Sequence, residues 1–291
     1  MKDFIQLNCN GVVSHTDLWI PHVSWLQSTL NLVSNSIEKK ALGHDDGGEP
    51  FQVLENGIAI IPITGVMMKG NSFFGGTNTL RTKNAIRQAV LDPDVKAILL
   101  NIDSGGGTVA GTMELANDVR MADSIKPVFT QVSDMMASAA LWVGVQARGV
   151  FANPLAEIGS IGVVAVIADF SEMMKNDGIK VHVISTGKFK GAGVFGSEIT
   201  DEQIEDIQNL VNQINEFFVK AVAKGRGMKL PAVRAIADGR VHLAAKAMEL
   251  GLIDGIQSID ETIKTISKAI RNVGSSRERA EVRLRLAENN L

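Results

Sequence analysis

The chain has 291 residues, of which 45% are hydrophobic and 21% charged, and 29 Lys and Arg against 32 Asp and Glu give a formal net charge of −3. This composition supplies a sizeable core and excludes a disordered or low-complexity protein, and the near-neutral charge provides no overall field to attract nucleic acid or anionic lipid. The single cysteine, Cys9, excludes an internal disulfide framework and a cysteine-based zinc site.

The first fifty residues differ in pattern from the rest of the chain. Apolar residues recur at helical spacing over Val23–Ile37 and predict a helix, whereas the Asp, Gly and Pro residues of 44–50 predict a linker. The N-terminus lacks the pattern of a signal peptide, and the longest uncharged apolar runs, Met135–Ala147 and Ile158–Ala168, are too short to span a bilayer. We therefore expect a soluble cytoplasmic protein without a membrane anchor.

From about residue 57 onward, β-branched apolar runs alternate with amphipathic runs, which predicts crossover connections and a largely parallel sheet. The predicted strands are Gly57–Met67, Val95–Ile102, Pro127–Val132, Gly149–Ala152, Ile161–Ile167 and Lys180–Ser185. The predicted helices are Asn78–Leu91, Thr108–Ala122, Met136–Ala147 and Asp201–Lys224.

The last two predicted features are a long helix and a charged tail. Thr200 is a plausible N-cap for the helix over Asp201–Lys224, whose apolar face over Ile204–Val222 suits either the core or a subunit interface. The mixed charges of Arg271–Leu291 predict an exposed helix or a flexible arm.

Three glycines follow the strand predicted over Val95–Ile102, in the run Asp103-Ser104-Gly105-Gly106-Gly107-Thr108. Glycines in this position let backbone N–H groups approach a ligand without obstruction by side chains. A phosphate cradle is disfavoured, because no Gly-Lys-Ser/Thr follows and the spacing is not G-x-G-x-x-G. An oxyanion hole and a plain tight turn between strand and helix both remain open.

Ser138 lies among small residues at the start of an Ala-rich helix. A helix N-terminus stabilises negative charge and small neighbours admit a substrate backbone, so the position suits a nucleophile, with the Ala139 N–H as an oxyanion donor. A serine that merely caps the helix is the alternative.

A serine nucleophile also needs a base. None of the five histidines (His15, His22, His44, His182 and His242) falls in a recognisable triad context. A lysine is the other option, since burial favours its uncharged form. Lys188 and Lys190 lie among glycines after the strand predicted over Lys180–Ser185, although an ordinary solvated role is also open to them.

Six motifs occur in the order found in the signal peptide peptidase family, peptidase family S49. They are Asp103-Ser104-Gly105-Gly106-Gly107, Ala137-Ser138-Ala139, Gly159-Ser160-Ile161-Gly162-Val163-Val164, Gly187-Lys188-Phe189-Lys190, Val222-Ala223-Lys224-Gly225-Arg226-Gly227 and Ala237-Asp238-Gly239-Arg240-Val241. Over roughly residues 55–265 the chain therefore resembles this family, and most closely its phage and prophage capsid-maturation serine proteases.

This resemblance implies an α/β fold of the ClpP/crotonase type with repeated ββα units over residues 51–268. Residues 1–50 would then form an N-terminal arm or pro-segment, and residues 269–291 a charged C-terminal tail. The resemblance implies no metal or organic cofactor.

The resemblance also implies a Ser–Lys catalytic dyad. Ser138 matches the nucleophile of the family, and Lys190, rather than Lys188, matches the general base. Ser160 matches a serine that forms hydrogen bonds near the catalytic lysine.

The backbone amides of Gly106 or Gly107, together with that of Ala139, would form the oxyanion hole. Gly105 stands where the family usually has proline, which loosens the chain before these donors. The family's membrane-bound members carry an N-terminal anchor that is not seen here, which favours a soluble substrate.

Taken together, the resemblance implies a serine endopeptidase, expected to form homo-oligomers in the bacterial cytoplasm or a phage prohead. The expected substrate is a soluble protein or peptide, specifically a phage capsid or scaffold protein, and nucleic acid is not an expected partner. Three alternatives remain open: a signal-peptide or general protein-quality peptidase, a crotonase-like acyl-CoA enzyme and a non-enzymatic capsid assembly protein.

Overall fold

A computed structural model describes residues 51–70 and 75–271, together with the backbone of Trp19–Pro21. The helix predicted over 23–37, the linker at 44–50 and the charged tail after residue 271 lie outside the described residues.

The described strands belong to one sheet with the order β10-β7-β6-β5-β3-β2, in which β1 also pairs with β5, β4 with β3, and β8 with β6 and β9. The strands are β1 (Trp19–Pro21), β2 (Gln52–Val53), β3 (Ile58–Met68), β4 (Thr77–Asn78), β5 (Ala97–Thr108), β6 (Val128–Ala137), β7 (Gly149–Ala152), β8 (Glu157–Gly159), β9 (Val241–Leu243) and β10 (Gly255–Ile256). The central pairs β3–β5, β5–β6 and β6–β7 are parallel, which confirms the predicted α/β class and its largely parallel sheet.

Helices form most of the crossovers between these strands. They are α1 (Thr79–Leu91), α2 (Thr112–Ile125), α3 (Ala139–Gly144), α4 (Ser171–Asn176), α5 (Asp201–Arg226), α6 (Leu230–Arg234), α7 (Ala244–Glu249) and α8 (residues 259–271). The predicted N-cap of α5 is confirmed: Thr200 and Gln203 form a reciprocal capping box that satisfies amides at the helix start.

The core lies around the central strands, which are covered on both faces. The side chains of Ile98, Leu99, Leu100 and Ile102 on β5 are all fully buried. Such strands read as continuous apolar runs in the sequence, because neither face meets water. This burial fixes the strand ends from which the candidate site is built.

Both β5 and β6 run further than predicted. The apolar pattern of β5 ends at Ile102, but its ladder with β3 continues to the pair Met67 and Gly107. Likewise, β6 continues to Ala137, so the predicted helix start at Met136 is wrong. The chain stays extended through the glycines because hydrogen bonds to β3, rather than side-chain burial, hold it there.

The apolar face of α5 divides into two parts. Near its C-terminal end, Phe218 is buried and its ring stacks on Trp142 of α3, with ring centres 4.9 Å apart. Closer to the N-terminus, Ile204, Leu210 and Phe217 remain exposed. The core interpretation is therefore confirmed for the end of the helix only, and the earlier turns present an uncovered apolar face.

Residues 162–200, which we call the 162–200 segment, depart most from the prediction. The strands predicted at Ile161–Ile167 and Lys180–Ser185 are wrong, since only Val164 makes an isolated bridge. Within the described chain, the side-chain hydrogen bonds of this segment stay inside it or reach the first turn of α5. An extended run becomes a strand only where a neighbouring strand satisfies its amides and carbonyls.

A charge-paired contact joins the end of α5 to β7 and β10. The Arg226 guanidinium donates to both Asp254 carboxylate oxygens, at 2.9 and 2.6 Å, and Asp254 also accepts the Val150 amide at 2.7 Å. Burial raises the pKa of Asp254, but the hydrogen bonds from Arg226 and Val150 outweigh it and hold that pKa below its ordinary value. The carboxylate therefore stabilises the fold in its ionised form.

Candidate active site

The glycine-rich end of β5 forms one wall of the candidate site. A Cβ atom on Gly107 would lie 1.9 Å from the carbonyl oxygen of Met67, so only glycine fits between β5 and β3 at this position. Gly106 has φ = 100°, a conformation that favours glycine. Both residues are therefore required by backbone geometry, and the prediction of a plain tight turn is wrong because this part of the chain is a strand.

Ser104 supports this wall and was not among the predicted site residues. Its buried hydroxyl donates to the carbonyl of Gly65 at 2.6 Å and accepts the amide of Gly106 at 3.2 Å. A serine between a buried strand and a glycine run was the available signal, because a hydroxyl there must find backbone partners.

Ser138 lies where β6 meets α3, with φ = 55° and ψ = −120°. Non-glycine residues rarely adopt positive φ, and such strain persists where the surrounding structure enforces it. The residue is 0% exposed, and its Oγ has no hydrogen-bond partner among the described residues. Because the side chain makes no capping hydrogen bond to α3, the alternative of a simple N-cap serine is wrong.

The backbone around Ser160 encloses the other side of Ser138. The Ser138 amide donates to the Gly159 carbonyl at 2.9 Å, and the Ser160 amide donates to the Arg240 carbonyl at 2.7 Å. Ser160 is buried and has φ = 54°, so it shares the unusual backbone conformation of Ser138. Ser160, predicted as a supporting residue, is thereby held beside Ser138.

The three predicted oxyanion donors differ in what already engages them. The Gly106 amide is engaged by Ser104, while Gly107 pairs with Met67 on β3 and with Ile20 on β1. Ala139 is the first residue of α3, where amides have no acceptor within the helix. A developing negative charge near Ser138 would therefore meet the positive end of the α3 peptide dipoles.

The two candidate lysines occupy different surroundings. The Lys188 ammonium forms an ion pair with Glu202 and lies 4.9 Å from the centre of the Phe189 ring. The Lys190 side chain is exposed and makes no ion pair or hydrogen bond with a described residue. Since Ser138 Oγ has no partner among the described residues, one chain alone does not bring Lys190 to the serine.

Histidine does not take the place of the lysine in the described part of the chain. His182 and His242 are the two described histidines, and neither forms a hydrogen bond with Ser138 Oγ. His242 lies on β9 opposite Ile158 of β8.

Two carboxylates lie at the strand ends close to this site. Partial burial, followed by repulsion from Asp134, raises the pKa of Asp103, and the Met135 amide opposes this rise by hydrogen bonding. A carboxyl group supplies no positive potential in either protonation state, so the backbone amides must supply the stabilisation of an oxyanion.

Several known proteins are similar in sequence to this chain. Capsid assembly protease C of Escherichia phage lambda is 27% identical over 235 residues, covering 78% of this chain and 53% of that protein. A putative protease of Methanocaldococcus jannaschii is 32% identical over 177 residues, covering 61% and 57%. A putative signal peptide peptidase SppA of Enterococcus faecium is 28% identical over 178 residues, covering 61% and 52%. The chain thus spans a little over half the length of each relative.

Among solved structures, a ClpP1 mutant from Listeria monocytogenes is similar, with a TM-score of 0.46 and 12% sequence identity. The similarity covers 69% of this chain and 92% of that chain. Among the described residues, no helix combines the length and the apolar character needed to cross a membrane.

A match to Peptidase family S49 extends over residues 120–273, just over half of the chain. The matched region contains Ser138, Ser160 and Lys190, whereas the glycine-rich end of β5 precedes it. Because this match covers more than half of the chain, and because the similar proteins are named as proteases or peptidases, the chain belongs to Peptidase family S49.

Proposed function

We propose that this protein is a serine endopeptidase in which Ser138 is the nucleophile and Lys190 the general base. The observation that carries the proposal is the state of Ser138: a fully buried hydroxyl without a partner in the described part of the chain, held at positive φ at the start of α3. Leaving a buried hydroxyl unsatisfied costs roughly 1–3 kcal/mol, and the backbone strain costs a similar amount. A nucleophile that must stay available to a substrate accounts for both.

The mechanism follows the chemistry of these groups. Lys190, as an uncharged amine, accepts the Ser138 proton while Oγ attacks the scissile carbonyl carbon. Because the Gly106 amide donates to Ser104, the backbone amides of Gly107 and Ala139 stabilise the tetrahedral oxyanion. The lysine then protonates the leaving amine, and a water molecule that it activates hydrolyses the acyl-enzyme and frees the serine.

In this proposal a second copy of the chain supplies Lys190 to Ser138. Support comes from uncovered apolar side chains in the 162–200 segment, which contains the lysine, since Val166 is 84% and Ile184 97% exposed in the single chain. The apolar face of the first turns of α5 is uncovered as well. Exposed apolar side chains of this kind are typical of an interface, and an identical subunit is the simplest partner.

Burial in such an interface also suits the chemistry of the base. Loss of water around a lysine disfavours its ammonium form, and a general base has to be uncharged. Assembly would therefore bring the lysine to the serine and prepare it for proton transfer at the same time.

The proposed substrate is a soluble protein of a phage head, either a capsid or a scaffold protein. Relatives named capsid assembly protease C and head-tail preconnector protein, from two phages, match 78% of this chain each. Coverage does not separate the two substrate classes, because a relative named serine protease SPPA, chloroplastic, matches 82% of this chain. The proposal of a head protein therefore rests on the names of the two phage relatives.

The test combines active-site labelling with proteolysis. A fluorophosphonate probe should label the wild-type protein at Ser138, and co-expression with candidate capsid and scaffold proteins should yield mapped cleavage sites. Ser138→Ala and Lys190→Ala should each lower the cleavage rate by more than the roughly 10²–10³-fold expected for loss of one oxyanion donor, because a dyad acts as a unit.

Lys188→Ala is the matched control, since it removes a neighbouring lysine that is paired with Glu202. It should retain cleavage within a few-fold of wild type. Wild-type activity in a folded Lys190→Ala protein would overturn the assignment of the base, and the same result in Ser138→Ala would overturn the protease mechanism.

A further inference from the structure

The N-terminal strand β1 pairs with the glycine-rich wall of the candidate site. The strand runs antiparallel to the end of β5, with Trp19 opposite Thr108, Ile20 opposite Gly107 and Pro21 opposite Gly106. A segment outside the family-matched region, which begins at residue 120, therefore contacts the backbone proposed to bind the oxyanion.

The register determines which edge of β5 the strand occupies. At Gly106 and Gly107 one edge of β5 is already taken by Val66 and Met67 of β3. On the other edge the ladder between β5 and β6 ends at the pair Ser104 and Met136. β1 therefore lies along the edge that β6 leaves open, and β6 leads directly into Ser138.

Extending the β5–β6 register by two residues brings Gly106 level with Ser138. Pro21 is the partner of Gly106, so the end of β1 lies at the level of the serine. The chain of β1 thus runs along the candidate site as an extended peptide would.

The hydrogen bonding of this ladder follows from its sequence. Antiparallel pairs alternate between those that exchange two backbone hydrogen bonds and those that exchange none. Pro21 has no amide hydrogen and cannot form an exchanging pair with Gly106, so Ile20 and Gly107 form the exchanging pair. The amide and carbonyl of Gly107 on this edge are thereby engaged by the chain itself.

We propose that the segment containing Trp19–Pro21 is an internal competitor of the substrate, and that substrates bind as an added strand on the same edge. The proposal rests on the proposed function, because it takes this edge to be the place where the scissile peptide lies. Strand addition uses main-chain hydrogen bonds for affinity, so one β5 edge accepts one extended segment at a time. A substrate must displace β1 before it reaches Ser138.

The size of the effect depends on how often the edge is open. When a binding-competent state is only partly populated, the apparent affinity falls by that fraction. An edge open in about a tenth of the molecules would raise the apparent KM about tenfold and leave kcat unchanged.

The experiment replaces the residue of the exchanging pair in the full chain. Ile20→Pro removes the amide that donates to Gly107, whereas Ile20→Val, the matched control, keeps both the amide and the strand propensity. The probe is a fluorogenic peptide with the sequence of a mapped cleavage site. KM and kcat are measured for the two variants and the wild type. Ile20→Pro should lower KM about tenfold at unchanged kcat, and Ile20→Val should match wild type.

Hydrogen exchange at the amides of residues 105–109 provides a readout that does not depend on catalysis. Faster exchange in Ile20→Pro than in Ile20→Val supports occupancy of the edge even if no peptide is ever cleaved, in which case only the proposed function fails. Equal exchange, or active proteins with equal KM, overturns the competitor role. A mass spectrum showing the purified chain cut after Pro21 also overturns it, since the segment would then be a substrate.

Discussion

The amide of Ser138 donates to the carbonyl of Gly159 at 2.9 Å, so the proposed nucleophile is tied by its backbone to the residue that precedes Ser160. Ser138 and Ser160 both have positive φ, at 55° and 54°. The strain at Ser138 is therefore imposed by the main chain around it, and a substitution that relieves the strain should be detectable as a gain in stability.

Ser138→Gly should be more stable than Ser138→Ala by about 1 kcal/mol. Glycine tolerates positive φ and recovers part of the 1–3 kcal/mol of strain, although its greater freedom in the unfolded chain costs about 0.5–1 kcal/mol. Both variants lack the hydroxyl and should be inactive. The free energy of unfolding, from denaturant titration, measures the difference.

The control is the same pair of substitutions at Ser124, an exposed position within α2. There the alanine variant should be more stable than the glycine variant by about 1 kcal/mol, which is the usual order of stability in a helix. If the alanine variant is also the more stable one at Ser138, the backbone there adopts an unstrained conformation in the variants, and the surrounding structure does not enforce the positive φ.

Mixing two inactive variants should restore activity if Lys190 acts on the serine of another copy. Co-expressed Ser138→Ala and Lys190→Ala chains would form mixed assemblies in which about one site in four has both an intact serine and an intact lysine. Recovered peptide cleavage at about that fraction of wild type is expected.

A double variant, Ser138→Ala with Lys190→Ala, mixed with Ser138→Ala is the negative control, because no intact serine is present. If the first mixture assembles like wild type and stays inactive, the dyad forms within one chain and the interface proposal is wrong.

Gly107→Ala should destabilise the protein by more than about 3 kcal/mol. This loss is larger than that of ordinary overpacking, because the added Cβ would meet backbone atoms, which cannot move aside as a side chain can. The new Cβ would lie 1.9 Å from the Met67 carbonyl oxygen, so β3 and β5 would have to separate. Thermal unfolding measures the loss. Gly187→Ala is the matched control, since a Cβ there meets no atom within 4 Å, and an equal loss in both variants would contradict this explanation.

Asp254→Asn should destabilise the protein at neutral pH and lessen its sensitivity to acid. The Arg226 side chain is only 8% exposed, but that of Asp254 is 41% exposed. We therefore expect the variant to lose about 2 kcal/mol of unfolding free energy, a value between those of surface and buried ion pairs. Because the folded-state pKa of Asp254 is lowered, its contribution is present above the unfolded pKa of about 3.9 and is lost as the pH falls below that value.

Unfolding free energies at pH 7 and pH 3 test this sign. The gap between wild type and variant should be largest at pH 7 and should shrink at pH 3. Glu249→Gln, which breaks an exposed pair with Lys246, should change stability by less than about 0.5 kcal/mol at pH 7. A gap that widens in acid would contradict the role given to Asp254.

The sequence predicts the α/β class and the long helix α5 well, because those features depend on local patterns. Thr200 caps α5 as predicted, and Asn78 caps α1 through two amides. The ends of β5 and β6 were missed for a different reason. At Gly106 and Gly107 there is no apolar alternation to detect, and the strand persists through pairing with β3.

Prediction of the site was limited in a similar way. Residue type and neighbours single out Ser138, but its positive φ and the burial of its hydroxyl follow from tertiary contacts. Ser104 accepts the amide of Gly106, two residues along the chain, but no local pattern reveals its second partner, the Gly65 carbonyl on β3. The position of Lys190 relative to the serine stays a prediction, since sequence spacing does not specify which copy of a chain supplies a side chain.

The ladder between β3 and β5 shifts register between Thr64 and Val66, just before it reaches the glycines. A slip of one residue along a strand displaces its partner by about 3.3 Å, more than the tolerance of a hydrogen bond. Two residues of β5, Ser104 and Gly105, lie opposite the single residue Gly65 of β3, so the aim of the Gly107 amide is decided by one extra residue in β5 itself. Selection for accurate chemistry in this protein would therefore extend to the residues of this bulge, although they take no part in the reaction.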